Sequence, residues 1–363
     1  MRALSALSFL ITGSGLIAAG VVLIVLASCD RPSPVFKDDL DIMRTSAQID
    51  IVELRGNEAY KAARAVESEI DKLNQIGYAF EPSSELYKLN EAISQGQSIM
   101  VSEELKDLIE EAGRLYSASN GLFNPAAGEL ALLWEYRCDT TDCTEFPYTE
   151  EVQHLVDEKE TEVRAQKPSM DDLILNDGKV VSRKSAVKLD FGEIILGYAL
   201  DRGVMRLKEM GVKNARIYIG SGVRTIGTTD GKPWRIGLPL LGAGEKWIGD
   251  IETYGDEAVI TVHAFGKSIG KNSSLYRHVV DPRSGLPVKE TRSVTVIHNS
   301  ATTANAAAAA LLINGIDGWS GIADKMNVHS IMLVTQDGTI YASPRMEQRI
   351  HWKQGLVHQH LMP

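Results

Sequence analysis

Ile174-Leu175-Asn176-Asp177-Gly178-Lys179-Val180-Val181 decides the fold class. Two short aliphatic runs flank Asn176-Asp177-Gly178, a turn chemistry that joins antiparallel strands in a hairpin. Downstream, a helix is predicted from about Glu193 to Met210, closed by Gly211, and a strand over Arg216–Ile219 leads into Gly220-Ser221-Gly222. Asp230-Gly231 marks a second hairpin before Trp234-Arg235-Ile236. Later come a strand over Ser293–His298, an alanine-rich buried helix over Ala304–Ile313 and a core strand over Ser330–Val334. There Gln336-Asp337-Gly338 turns the chain back toward Ile340-Tyr341. Upstream, Ile49 and Ile51 alternate with polar neighbours as a half-buried strand does, and Ala59, Ala62, Ala63, Val66, Ile70 and Leu73 recur at helical spacing up to Gly77. A second helix starts at Ser102, carries Leu105, Leu108, Ile109, Ala112, Leu115 and Tyr116 on one face, and ends at Asn120-Gly121. Helices and antiparallel hairpins mix without regular βαβ alternation, which predicts an α+β fold in a single large domain.

The whole chain has 363 residues with 44% hydrophobic and 24% charged side chains, enough to bury a sizeable core. A net charge of −10 argues against a basic nucleic-acid groove. Three cysteines build neither a disulfide framework nor a four-cysteine zinc site. With 31 glycines and 12 prolines, collagen and low-complexity disorder are excluded too.

Arg2 is the single charge before a long apolar run from Phe9 to Ala27 that ends in Leu26-Ala27-Ser28-Cys29. A leucine three residues before a cysteine, with small residues between, is the bacterial lipobox pattern. It predicts a signal peptide over residues 1–28, cleavage before Cys29 and lipidation of its thiol. An uncleaved transmembrane anchor is the other reading of a run this long. Asp30 after the cysteine is the usual signal in enteric-type bacteria for the periplasmic face of the inner membrane. Residues 29–40, with Arg31-Pro32-Ser33-Pro34, then read as a stiff tether. The globular domain is expected over 41–350, with a polar tail over 351–363. Residues 137–169 are polar and acidic and read as a surface insertion with a solvated face. In an oxidising compartment Cys138 and Cys143 are free to pair, a reactive cysteine pair being the alternative.

Two places hold residues suited to chemistry. Tyr276-Arg277-His278-Val279-Val280-Asp281-Pro282-Arg283-Ser284-Gly285 runs a strand into a turn that Asp281 can begin by bonding its own backbone. His278 there is either a general acid or base near neutral pH or a satisfied strand histidine. Asp190, just before the helix with Gly197-Tyr198 and Asp201, is placed either to cap that helix or to accept a ligand hydrogen bond. Gly220-Ser221-Gly222 lacks the third glycine of a dinucleotide fingerprint and reads as a tight turn before a phosphate nest.

In order along the chain, these segments resemble the FAD:protein FMN transferases, the ApbE-type flavin transferases, from about Met43 to the C-terminus. Ser84-Glu85-Leu86-Tyr87-Lys88-Leu89-Asn90 is similar to that family's SELxxLN segment, and Gly121-Leu122-Phe123-Asn124-Pro125 to its GxFDP segment. Leu189-Asp190-Phe191-Gly192 with Gly197-Tyr198-Ala199 and Asp201 is similar to LDLGxxxxGYAxD. His278-Val279-Val280-Asp281-Pro282 with Gly285 and Pro287 is similar to HxIDPxTGxP. The resemblance implies a T-fold-like architecture of mixed antiparallel sheets with packed helices. It also implies an activity: FAD is cleaved at its pyrophosphate, FMN moves onto a Ser or Thr of an exported redox protein, and AMP leaves. Acceptors in that family are typically membrane redox subunits of the Rnf or Nqr kind. Catalytic, FAD-contacting roles pass to Asp190 and His278, and a flavin or adenine pocket is implied at Met43, Phe80, Leu122, Phe123 and Asn124.

The resemblance also implies a Mg²⁺ site, and there this chain departs from the pattern. Glu193 and Asn305 are the positions available to a metal, but Asn305 stands where an aspartate is usual and Ala309 where a threonine is. Tyr218-Ile219-Gly220-Ser221-Gly222 replaces a glycine-rich NxGGD, Ala264-Phe265-Gly266 replaces TSG, and Leu196 stands where Lys or Glu is usual. A weakened or absent cation site is therefore expected. The alternative to an active transferase is a degenerate relative that binds flavin or a protein partner without transfer.

Overall fold

The computed structural model describes residues 35–42, 45–139, 158, 161–240, 246–267, 275–277, 279–353 and 359–362. Its centre is a nine-stranded sheet whose strands lie side by side in chain order: Val35–Ile42, Thr45–Val52, Ala215–Ile219, Gly222–Ile226, Glu257–His263, Thr291–His298, Ser330–Thr335, Ile340–Ala342 and Gln359–Leu361. Every neighbouring pair is antiparallel except the last, where Ile340 lies beside Gln359 in parallel. The fold is α+β with mixed antiparallel sheets and packed helices.

Both faces of the sheet are covered, and residue alternation decides which face goes where. Ile49, Ile51, Ile217, Ile260, Val294, Val296, Ile331 and Leu333 point to one side, where the helices Gly56–Gly77, Glu103–Ala118, Gly192–Glu209 and Ala301–Asn314 pack. Val52, Val259, Ile297, Met332 and Val334 point to the other, against a three-stranded sheet of Trp234–Leu240, Lys246–Thr253 and Ile350–Trp352. Strands buried on both faces read as near-continuous apolar runs, as Val294-Thr295-Val296-Ile297 does.

Local signals in the sequence have direct counterparts. Asn176 faces Lys179 across a two-residue turn, with Asp177 and Gly178 at φ +48° and +75° as a type I′ hairpin requires. Ser102 Oγ accepts from Leu105 N at 3.2 Å and caps its helix. Gly220-Ser221 is a tight two-residue link between strands that pair at Ile219 and Gly222. Gly77 was expected to end its helix but lies buried within its last turn, against Ile195.

Both chain ends need correction. Residues 35–40 belong to an edge strand rather than to a tether. Lys37, Asp39 and Asp41 face solvent while Leu40 and Ile42 are buried, and the strand pairs along its length with Thr45–Val52. Nor are residues 351–363 merely a polar tail. His351 and Trp352 belong to the three-stranded sheet, Gln359–Leu361 to the main one, and Met362 is buried. The acidic insertion is partly anchored as well: Val163 is buried, and the Pro168 carbonyl accepts from Asn124 Nδ2 at 2.9 Å. Residues 1–34, with Cys29, and residue 143 of the cysteine pair lie outside the described residues.

Candidate functional site

The site is built by two chain segments that zip together. Lys188-Leu189-Asp190 runs beside Pro125-Ala126-Ala127-Gly128, with Gly128 N on Lys188 O at 2.9 Å, Lys188 N on Ala126 O at 3.1 Å and Asp190 N on Pro125 O at 2.9 Å. Lys188 and Glu129 add an ion pair at 2.9 Å. The Asn90 amide grips the middle of this segment with both ends. Its Nδ2 donates to Leu189 O at 2.9 Å and its Oδ1 accepts from Leu189 N at 2.7 Å. Asp190 emerges one residue later and accepts from Gly192 N at 2.8 Å, while the N-cap position of the helix Gly192–Glu209 is Phe191, which makes no side-chain cap. Asn124 bends its own turn through Oδ1, which accepts from Ala126 N at 3.2 Å.

These segments form one wall of a cavity of about 350 Å³, a volume typical of small-molecule sites. Leu122, Phe123, Asn124, Asp190 and Glu193 line it from these segments and the helix that follows, and Asn305, Ala309 and Ile313 line it from the alanine-rich helix. Ser221, Thr261, His263, Val280 and Pro282 close the rest. Burial pushes the Glu193 carboxyl up to about 7, and the neighbouring Asp190 charge pushes the same way. Asp190 is raised by burial too, but the Gly192 N–H and the Lys188 charge oppose the shift. Both carboxyls of the pair are therefore raised by burial, and it is Glu193 that exchanges its proton near neutral pH.

The alanine-rich helix is pinned at its start. Asp201 accepts from Ala301 N at 2.9 Å, Thr302 N at 3.0 Å, Ser300 Oγ at 2.9 Å and Thr302 Oγ1 at 2.8 Å, and pairs with Arg224 at 3.0 Å. The helix then crosses Gly192–Glu209 in direct contact at Gly197. A Cβ on Gly197 would stand 2.3 Å from the Ala301 carbonyl oxygen, so only glycine permits the crossing. Small side chains down the helix, Ala304 to Ala310, are fully or almost fully buried, which is what a close helix crossing requires. Asn305 Oδ1 accepts from Gly197 N at 3.0 Å.

These residues do not fit a divalent cation held by the alanine-rich helix. The Asn305 carbonyl oxygen is already engaged by a main-chain N–H, and Ala309 has no donor atom. Among the described residues no group of three His, Cys, Asp or Glu side chains is arranged to hold a metal.

Of the positions singled out from sequence, Leu122, Phe123, Asn124, Asp190, Glu193 and Asn305 come together around the one cavity. Phe80 does not. It is exposed, in edge-to-face contact with Tyr78 at 5.8 Å, and is not among the cavity-lining residues. Met43 and His278 lie outside the described residues, though Val279 next to His278 lines the cavity. Asn90 went unassigned because its partner is 99 residues away and is main chain. Asp281 bonds Arg283 N at 2.8 Å and serves the turn.

A family model described as the ApbE family matches residues 43–332. A protein of Rhodobacter capsulatus named FAD:protein FMN transferase is 28% identical over 94% of this chain, which spans 62% of that relative's length. One of Vibrio cholerae serotype O1 with the same name is 25% identical over 87% of the chain and 92% of its own length. The apo structure of the flavinyl transferase ApbE of Pseudomonas stutzeri superposes with a TM-score of 0.72 at 20% identity, covering 89% of this chain and 99% of that one. An ApbE protein structure from Thermotoga maritima gives 0.73 at 24%, covering 88% and 100%. These likenesses show the fold.

Proposed function

The chain belongs to the ApbE family, and on that premise we propose that it is an FAD:protein FMN transferase. It moves FMN from FAD onto a Ser or Thr hydroxyl of an exported redox protein. The observation that carries this reading is the meeting of Leu122–Asn124, Asp190 and the 279–282 segment around one cavity. The names of the relatives support transfer, and nothing in them supports a carrier that has lost it.

In the reaction the acceptor oxygen attacks the phosphorus on the FMN side of the pyrophosphate. The bond to the bridging oxygen breaks, AMP leaves, and the hydroxyl proton passes to a base. Such transfer is catalysed mainly by positioning and by placed charge. His278 is the base that the sequence offers. Asp190 orients the ligand from the start of its helix, and Glu193 exchanges a proton near neutral pH in the same wall. Mg²⁺ takes no part in the steps written, since the donor set on the alanine-rich helix does not fit it.

The same reading starts the mature chain at Cys29 and holds it, through that lipidated residue, at the periplasmic face of the inner membrane, with an Rnf- or Nqr-like subunit as acceptor. The lipobox Leu26-Ala27-Ser28-Cys29 and Asp30 support it. Incubating the mature protein with FAD and an acceptor domain, then reading in-gel flavin fluorescence and AMP release, tests the activity. Transfer that is lost in Asp190→Ala and His278→Ala, both still folded, is the expected result. No transfer by the wild type, or full transfer by both variants, counts against it.

A further inference from the structure

Asn305 lines the cavity while only 5% exposed, and the orientation of its amide is fixed by chemistry. Gly197 N is a donor, so the atom facing it at 3.0 Å is the carbonyl oxygen. The other end of the amide is therefore the –NH₂. Among the described residues that nitrogen has no hydrogen-bond partner, and it is not one of the fully enclosed polar atoms. The cavity that Asn305 lines is the open space beside it.

The surroundings bear on what it meets there. Ala309 and Ile313 follow Asn305 on the same helix face, and Leu196 and Ile260 stand with them in the lining. Leu196 packs against the Gly220-Ser221-Gly222 turn. Leu196, Ile260, Ala309 and Ile313 have apolar side chains, and none of the four carries an oxygen to draw a cation.

We propose that Asn305 is a ligand-binding residue whose amide N–H₂ donates directly to an acceptor oxygen of the dinucleotide, so that this chain binds FAD without a bridging divalent cation at the alanine-rich helix. The inference rests on the flavin reading above and deepens it. The oxygen is either a phosphate oxygen or a ring carbonyl, since both accept from an amide. The carbonyl end of Asn305 meanwhile clasps the two helices at their crossing.

The test is binding rather than turnover. FAD affinity of the mature protein is measured by fluorescence in EDTA and in excess Mg²⁺, for the wild type and for Asn305→Asp. The aspartate still accepts from Gly197 N, so the helix crossing is kept, and a thermal melt by circular dichroism checks it. Expected are wild-type affinities within twofold in the two buffers. For Asn305→Asp, at least a tenfold loss is expected in EDTA, because a carboxylate oxygen then faces a ligand oxygen, with recovery in Mg²⁺. Riboflavin as a second ligand separates the sources. A loss with FAD alone identifies a phosphate oxygen, and a loss with both identifies the ring. A wild type that needs Mg²⁺ by tenfold or more, or an Asn305→Asp protein that binds normally in EDTA, overturns the proposal alone. Absence of FAD binding by the wild type in both buffers overturns the flavin reading and the proposal with it.

Discussion

Asn90 holds Leu189 by both of its main-chain groups, Nδ2 to O at 2.9 Å and N to Oδ1 at 2.7 Å. The side chain acts as a short piece of β-strand, pairing with a residue 99 positions away and setting where Asp190 leaves the segment. Truncating it leaves a buried N–H and a buried C=O without partners, which costs about 1–3 kcal/mol each. Asn90→Ala is expected to lower stability by about 2–4 kcal/mol in urea unfolding, and to weaken FAD binding. Asn90→Asp keeps the acceptor and loses the donor. If its midpoint equals that of the wild type, the two-ended grip is unimportant.

Glu193 gives a pH signature. Its carboxyl stands at about 7 in the fold against 4.5 for a free side chain, so it stabilises the fold while protonated. That contribution is full below pH 4.5 and is lost as pH climbs through about 7. The lost amount is at most about 3–4 kcal/mol, from 1.36 kcal/mol per unit. Glu193→Gln is expected to match the wild type near pH 5 and to exceed it in stability at pH 8. Denaturant midpoints at the two pH values decide, and parallel curves refute the assignment.

The helix crossing predicts a sharp response at Gly197. A methyl there meets the Ala301 carbonyl oxygen at 2.3 Å, and neither partner is the end of a flexible side chain. Gly197→Ala should cost about 2–3 kcal/mol or more, by overpacking. An equal substitution at exposed Gly211 tests nothing of the crossing, so the informative control is Gly113→Ala. Gly113 is helical with open space where its Cβ would go, and that change should raise stability by a few tenths to about 1 kcal/mol.

Asp201 collects two main-chain N–H groups, two hydroxyls and Arg224. Losing a helix cap costs about 1 kcal/mol and breaking a buried pair several more, so Asp201→Ala should cost about 3–5 kcal/mol. Arg224 keeps Asp256 at 2.6 Å, which limits the loss from its side. Thermal unfolding of Asp201→Ala beside Arg224→Met separates cap from ion pair. Repeating Asp201→Ala in the Arg224→Met background isolates the cap, and no further loss there would show that the cap contributes nothing of its own.

Much of the local structure was legible because its causes are local. Asp177-Gly178 demands positive φ, Ser102 caps the helix it precedes, and the 59–73 stripe has helical period. The edge strand at 35–42 escaped notice because an edge needs only Leu40 and Ile42 inward, and its other face is charged. The resemblance named Leu122–Asn124 and Asp190, and the structure sets those residues around one cavity. The direction of the Asn305 amide was beyond reach, since the helix crossing at Gly197 fixes it. Asn90 shows the same limit. A contact to main chain leaves no mark on the partner's residue type.

That the nine strands lie in chain order has a consequence for how the protein comes into being. Residues 53–214 leave the sheet after its second strand and return for the third, carrying with them Leu122, Asn124, Asp190 and Glu193. The lining residues Asn305, Ala309 and Ile313 arrive only after the sixth strand. A chain emerging from its N-terminus therefore builds part of the lining early and waits for the rest, with a long excursion to close before the sheet can zip onward. Until residue 313 has arrived the cavity lacks the part of its lining that the alanine-rich helix supplies. A fragment cut short before it can be largely folded and still empty-handed, which makes ligand capture a report on completion of the chain.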